Sequence, residues 1–213
     1  MAIIKGLHAK LTAENVERVL GKKGYAFFDS GTFNVNIIGI RSSEKKANNF
    51  DDTMLLIYKN KKHAWEVVSS VITTDPGKYY LVDNPVNSKG TAILVPDQYR
   101  GVYKVDIHAA NNKNFAHEAL CQRGGTLKVW RDINRDTILD HDPESIDEGW
   151  FGVNIHRSKA TGAATYVGAY SAGCQTFKNS TDFSIFMDVI NRSKGMYGNS
   201  FTYTLLDEED FED

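Results

Sequence analysis

One cysteine and one histidine in the second half of the chain are residue types that could act as a nucleophile and its base. His156 ends the apolar stretch WFGVNIH, and Cys174 follows the small, turn-forming residues Ser-Ala-Gly at 171–173. A cysteine attacks a carbonyl carbon only as the thiolate, so it needs a base or a positive charge nearby. A tight turn before Cys174 would expose the sulfur and aim backbone N–H groups at one point, where they could stabilise an oxyanion. The pattern is compatible with covalent catalysis, but a lone cysteine and histidine taken by themselves favour a packed structural cysteine and an unrelated histidine.

Two features of the flanking sequence are expected to position this pair. Apolar residues recur at helical spacing in FSIFMDVINRSKG, so a helix N-terminus close after Cys174 would lower the pKa of its thiol. A strand over Tyr166–Tyr170, antiparallel to WFGVNIH, would bring the imidazole beside the sulfur.

The same stretch resembles the catalytic signature of the L,D-transpeptidase (YkuD-like) family, in which a His-Gly is followed, after a variable loop, by Ser/Thr-His-Gly-Cys. The matching residues here are His156, Ser171, Gly173 and Cys174. Upstream, LLIYKNKKHAWEVVSSVITTDPGKYYL resembles the opening hairpin of that family and its Thr-Pro-x-Gly turn, so the resemblance spans roughly residues 54–178.

The chain departs from the family pattern at three places in the signature. Ala172 stands where the family has its second histidine, and Arg157 replaces the glycine after the first. Gln175 and Thr176 stand where the segment that carries an arginine would follow. The departures leave open how the catalytic histidine and a substrate carboxylate would be held. Residues 1–53 have no counterpart in the family pattern.

The resemblance implies a cysteine peptidase or transpeptidase that acts on the stem peptides of bacterial peptidoglycan. Cys174 would attack an amide carbonyl, and His156 would take the thiol proton and give it to the leaving amine. The N–H groups of Gly173 and Cys174 would form the oxyanion hole, and Ser171 would orient His156 or bind substrate. Arg157 would pair with a stem-peptide carboxylate.

Further substrate contacts are expected from Tyr170 and Gln175, which flank the Ser-Ala-Gly-Cys turn. Arg41 opens a polar segment with Asp51 and Asp52 near its end, and an arginine beside acids could bind a zwitterionic peptide. The alternative for Arg41 is a surface loop laced with salt bridges.

Four oxygen-bearing side chains before His156 have the sequence spacing of the first, third, fifth and ninth positions of a calcium-binding loop. They are Asp132, Asn134, Asp136 and Asp140. The sixth position, usually glycine, is Thr137, and the twelfth, usually glutamate, is Pro143. The sequence therefore favours a solvated polar loop and predicts no cofactor, with calcium at this loop as the alternative.

Two further histidines, His108 and His117, lie close in sequence with Glu118 adjacent. A zinc site needs three or four converging ligands, and the sequence offers no further clustered ligand there, so no metal site is predicted. Cys121 lies among apolar neighbours and is predicted to be part of the core.

Short stretches rich in aromatic and β-branched residues predict a mainly β sandwich or barrel with short helices near the N- and C-terminal ends. The family resemblance implies that this fold is of the L,D-transpeptidase-like type. Residues 1–206 are predicted to form one domain, and 207–213 an acidic, frayed tail. Thr12 is a predicted N-cap, and two strand-like stretches within 53–74, joined by a polar turn at 59–62, predict a hairpin. Strands are also predicted on both sides of Gly31 and in KYYLVDNP.

Composition limits the classes of function. The net charge is −2 and the pI about 6.3, which gives no basic face for nucleic acid, and no apolar run is long enough for a membrane span. The N-terminus shows no secretory signal, so synthesis in the cytoplasm and delivery to the bacterial wall as a phage lysis or tail protein is expected. A non-catalytic virion or binding protein that keeps this fold is the alternative.

Overall fold

Eight strands close into a barrel in the computed structural model, which describes residues 8–212. These strands are β1 (Asn36–Arg41), β2 (Asp52–Lys59), β3 (Trp65–Thr73), β5 (Gln98–His108), β6 (His117–Gln122), β9 (Ile155–Arg157), β10 (Gln175–Phe177) and β11 (Phe201–Asp207). Their order around the barrel is β1-β11-β5-β6-β9-β10-β3-β2. Residues 1–7, with which the predicted domain begins and which the sequence predicts to be no part of a secretory signal, lie outside the described residues, as does Asp213.

A second, three-stranded sheet and two helices complete the fold. The sheet contains β4 (Thr91–Leu94), β7 (Leu127–Asp132) and β8 (Asp147–Gly149), in the order β4-β7-β8. The helices are α1 (Ala13–Lys22) and α2 (Ser180–Tyr197), near the two ends of the chain. The predicted mainly β fold class with helices near both ends is confirmed. Within residues 8–212, no helix is both long and apolar enough to cross a membrane.

The helix α1 covers the outer face of the barrel. As predicted, the side chain of Thr12 caps it by accepting a hydrogen bond from the Asn15 N–H at 3.2 Å. Its apolar face, including Val16 and Leu20, packs on Ile38 and other apolar side chains of the barrel. Burying one such side chain contributes about 1.5–3 kcal/mol, so this contact anchors the N-terminal segment.

The helix α2 packs against the main hydrophobic core. Asn179 caps it by accepting from the Thr181 N–H at 2.8 Å. Phe183 and Phe186 form ring contacts with Phe177 of β10, with centroids 5.4 and 5.0 Å apart. The helix therefore supports the barrel strand that directly follows Cys174.

Three predictions of local structure are wrong: two predicted strands are absent, and the predicted frayed tail is ordered. The segment before Gly31 is not a strand; the Asn36 side chain instead bonds both the N–H and the C=O of Phe28, at 2.7 and 3.0 Å. KYYLVDNP contains a π-helical turn at Tyr79–Asp83. The predicted frayed tail forms a 3-10 turn at Glu208–Phe211, which is held by the complete burial of Phe211 against the α1 cluster.

Candidate active site

A cavity of about 460 Å³ contains both residues of the predicted catalytic pair. Cys174 and His156 line it, and so do Arg157 and Tyr170 from the predicted substrate contacts. Other side chains of its wall are Tyr79, Tyr80, His108, Phe115 and His117. Among the described residues its lining includes one arginine and three histidines but no carboxylate, so the cavity is suited to a ligand with a carboxylate group.

A parallel strand pair brings the cysteine and the histidine together. The strands β9 and β10 run parallel, with His156 opposite Thr176, and the Gln175 N–H donates to the Asn154 carbonyl at 2.9 Å. Cys174 directly precedes β10. The predicted strand over Tyr166–Tyr170 is wrong, because that segment consists of turns and has no ladder partner.

The turn before Cys174 is built by Ser171. Its Oγ accepts from the Gly173 N–H at 3.1 Å and donates to the Cys174 carbonyl at 2.8 Å, and the residue is fully buried. Gly173 has φ +116°, and a Cβ at this position would lie 2.4 Å from the Ala92 carbonyl oxygen. Ser171 thus shapes the turn and does not line the cavity, while the turn itself requires glycine.

Gly173→Ala is expected to lower the free energy of unfolding by about 3 kcal/mol or more, since it combines a left-handed backbone, costing roughly 1–2 kcal/mol, with a backbone clash. Gly162→Ala is the matched control, because Gly162 has φ +72° and open space around its Cβ position. Urea unfolding of both variants measures the difference. Equal losses in the free energy of unfolding would show that the turn at Gly173 accommodates a Cβ without a clash.

The Cys174 sulfur has two backbone partners. It accepts from the Asn154 N–H at 3.4 Å and donates to the Gly152 carbonyl at 3.6 Å. Burial of the sulfur raises the pKa of this thiol to about 11, although the hydrogen bond from Asn154 lowers it in part. The predicted helix N-terminus does not lie beside Cys174, because β10 intervenes and α2 begins only at Ser180. In the resting protein Cys174 is therefore a neutral thiol at pH 7.

Alkylation of Cys174 by iodoacetamide is expected to accelerate about tenfold per pH unit between pH 7 and 10, because the thiolate fraction rises at that rate below the pKa. Cys121 is the internal control: burial raises its pKa to about 11 as well, and it is completely buried in the core, as predicted. Peptide mapping after timed labelling measures the alkylation rates of Cys174 and Cys121 separately. A Cys174 rate that is already constant near pH 7 would reveal a preformed thiolate and contradict the geometry.

His156 is a buried, neutral imidazole. Its Nδ1 lies 2.8 Å from the Arg157 carbonyl oxygen, which can only accept, so Nδ1 carries the proton and Nε2 is basic. Nε2 lies 3.3 Å from Thr176 Oγ1, and this hydroxyl is also 3.4 Å from the Cys174 carbonyl. Burial, and then the neighbouring His108, hold the pKa of His156 well below its usual value. The free base form required for proton abstraction is thus present at neutral pH.

Two further histidines line the cavity, and no role was predicted for them from the sequence. His108 ends β5 and His117 begins β6, where the two pair directly across the hairpin. The His108 ring stacks on His156 with centroids 3.9 Å apart and planes 13° apart. Interpreting HEALCQ as a strand paired with YKVDIH would have placed them together. No group of three or more metal-ligating side chains converges within residues 8–212.

Gln175 and Arg41, which the sequence offered as substrate contacts, are buried and do not line the cavity. Gln175 Nε2 donates to the carbonyls of Thr74 and Gly173, both at 3.3 Å. Arg41 is buried, with Nε 3.0 Å from Thr74 Oγ1 and 3.1 Å from an oxygen of Asp75. The surface-loop alternative for Arg41 is wrong, because its charge is balanced in the interior.

The predicted polar loop at 132–140 is closed by its own hydrogen bonds. Asn134 Nδ2 donates to Asp140 at 2.8 Å, and the Asp140 N–H donates to Asp132 at 3.0 Å. Asp136 accepts from the Ile138 N–H at 2.7 Å. These contacts use several of the oxygens that a calcium ion would need.

No family model, curated protein or solved structure matches the chain. The resemblance to L,D-transpeptidases therefore stays a prediction, and the residues of the cavity are the observations that bear on function.

Proposed function

We propose that this protein is a cysteine-dependent acyl-transfer enzyme that cleaves or exchanges an amide bond in peptidoglycan stem peptides. The observation that carries the proposal is the convergence of Cys174 and a neutral His156 in one cavity, with His156 on β9 and Cys174 directly before the parallel strand β10. A nucleophile and a neutral base held in one cavity are the parts that covalent acyl transfer needs.

The reaction begins with the thiol form of Cys174. Because burial disfavours a free thiolate, the proton passes to His156 as the sulfur attacks the amide carbonyl carbon. The leaving amine then takes that proton from His156, and the acyl group remains on sulfur. Water would release it in a peptidase, and a second amine would receive it in a transpeptidase.

The chemistry of the wall supports a peptide with a free carboxylate as the substrate. Arg157 is a cationic side chain of the lining, and its Nη1 makes a long contact, 3.5 Å, with the Ala160 carbonyl. A bidentate pair with a carboxylate would satisfy it. Aromatic side chains from the π-helical turn, Tyr79 and Tyr80, supply apolar contact on the same wall. The proposed site of action is the bacterial cell wall.

One observation favours a second candidate, a non-catalytic binding protein of the same fold. The thiol pKa is raised to about 11, and both ring nitrogens of His156 lie near protein oxygens. A site that only binds stem peptides would have no need of an activated thiol. This candidate predicts binding that is unchanged when Cys174 is replaced.

Incubation of purified peptidoglycan of several wall chemotypes with the wild-type protein, with and without calcium, tests the proposal. Mass spectrometry of the muropeptides then identifies the product. Loss of a terminal residue indicates a carboxypeptidase, a cut within the stem an endopeptidase, and new cross-links a transpeptidase. Muropeptide profiles identical to buffer controls on every wall type would contradict enzymatic function.

A further inference from the structure

The hydrogen bonds around Asn154 fix the tautomer of His108. Asn154 Oδ1 accepts from the Gln122 N–H at 2.9 Å, so the opposite end of the amide is its NH₂ group. That nitrogen lies 3.0 Å from His108 Nδ1. Because an amide NH₂ only donates, Nδ1 must accept, and the proton of the neutral ring is on Nε2. His108 therefore offers an N–H donor from Nε2.

The same asparagine also positions the nucleophile. The backbone N–H of Asn154 donates to the Cys174 sulfur at 3.4 Å, while its side chain holds His108. His108 and Cys174 line the same cavity, and the His108 ring stacks on His156. One residue thus sets the relative placement of the sulfur and the His108 ring.

The backbone oxyanion hole expected from the sequence lacks one of its donors. The Gly173 N–H already donates to Ser171 Oγ, which leaves the N–H of Cys174 for an oxyanion. Tetrahedral intermediates of acyl transfer are stabilised by preorganised donors, and a histidine side chain can be one of them. A neutral imidazole can act in this way without being protonated.

We infer that His108 is a catalytic residue whose Nε2–H donates the second hydrogen bond to the oxyanion, an inference that rests on the proposed function. As sulfur bonds to the carbonyl carbon, the π electron pair moves to oxygen, which accepts from the Cys174 N–H and from His108. No proton leaves His108. When the C–N bond breaks, its electron pair stays on nitrogen, which takes the proton held by His156.

The stack explains why this donor is a neutral ring. His156 becomes an imidazolium during the reaction, and a second cation with its ring centroid 3.9 Å away would oppose that step. A neutral His108 provides a hydrogen bond without a charge. Burial lowers the pKa of His108 to about 4, in agreement with this geometry.

His108→Phe tests the inference, because phenylalanine keeps a flat ring against His156 but has no donor. We expect kcat for the muropeptide reaction to fall about 100- to 1,000-fold with KM within about threefold of wild type. His108→Gln restores a donor and is expected to recover at least about tenfold of the loss. If His108→Phe does not fold, His108→Leu serves for the same comparison.

His63→Phe is the control for the substitution itself. His63 is an exposed residue of the turn between β2 and β3 and does not line the cavity. We expect its kcat within about threefold of wild type. The pH dependence of Cys174 alkylation should be the same in His108→Phe as in the wild type, since His108 does not take the thiol proton.

The possible outcomes distinguish an error in the role of His108 from an error in the proposed function. An active wild type with an equally active His108→Phe overturns the role of His108 alone. A shifted alkylation profile in His108→Phe also overturns it, because His108 would then act on the thiol. An inactive wild type overturns the proposed function and this inference together.

Discussion

Cys174→Ala is expected to lower the rate of muropeptide conversion by at least about 1,000-fold, leaving only the contribution of binding and oxyanion stabilisation. Alanine removes the one atom that can form the thioester, while the turn that presents it is preserved. The Ser171 hydroxyl bonds backbone groups of residues 173 and 174, and these do not depend on the sulfur. Initial rates measured by chromatography of released products are the readout.

Cys121→Ala is the control for the loss of a thiol. Cys121 is completely buried in the main core and does not line the cavity. Its replacement should cost about 1–2 kcal/mol of stability through a small cavity and leave the rate unchanged. A Cys174→Ala protein with wild-type activity would show that the reaction does not pass through this sulfur.

His156→Gln is expected to lower kcat/KM by about 100- to 10,000-fold, the usual contribution of a general base. Glutamine preserves polar contacts beside Thr176 and Arg157 but cannot take the thiol proton. Because burial and His108 hold the pKa of His156 below that of a free imidazole, wild-type activity should persist below pH 6.5 and fall only at lower pH. The pH profile of kcat/KM measures this limb.

His63→Gln is the matched substitution, since His63 is an exposed residue of the turn between β2 and β3. Its rate and pH profile should equal those of the wild type. An acid limb at the ordinary imidazole pKa, or equal activity of the two variants, would contradict the assignment of His156 as the base.

Local patterns could be predicted where short-range chemistry decides the structure. The Thr12 cap, the hairpin of β2 and β3, and the apolar spacing of α2 all depend on residues near one another in sequence. The hairpin turn even closes on itself, with the Asn60 N–H donating to the Ala64 carbonyl at 2.8 Å. Local sequence preferences of this kind predict the local structure whenever the tertiary fold is consistent with them.

Long-range pairing determined what the sequence did not reveal. The parallel pair of β9 and β10 has only three residues in each strand, too few for a periodic pattern. The strand neighbour of His156 is therefore Thr176 of β10, and the predicted strand over Tyr166–Tyr170 does not form. The charge on Arg41 suggested that its side chain would be exposed, but the side chain is buried in an ion pair with Asp75. His108 and His117 became neighbours only through the hairpin of β5 and β6.

The most direct test of the central claim is the detection of an acyl group on Cys174. The protein is mixed with an isolated stem peptide, quenched in acid within milliseconds to seconds, and analysed by intact mass and peptide mapping. The account predicts a mass increase equal to the acyl fragment, located on the peptide that contains Cys174 and absent in Cys174→Ala. Turnover of the stem peptide by both proteins, with no adduct on Cys174, would contradict it.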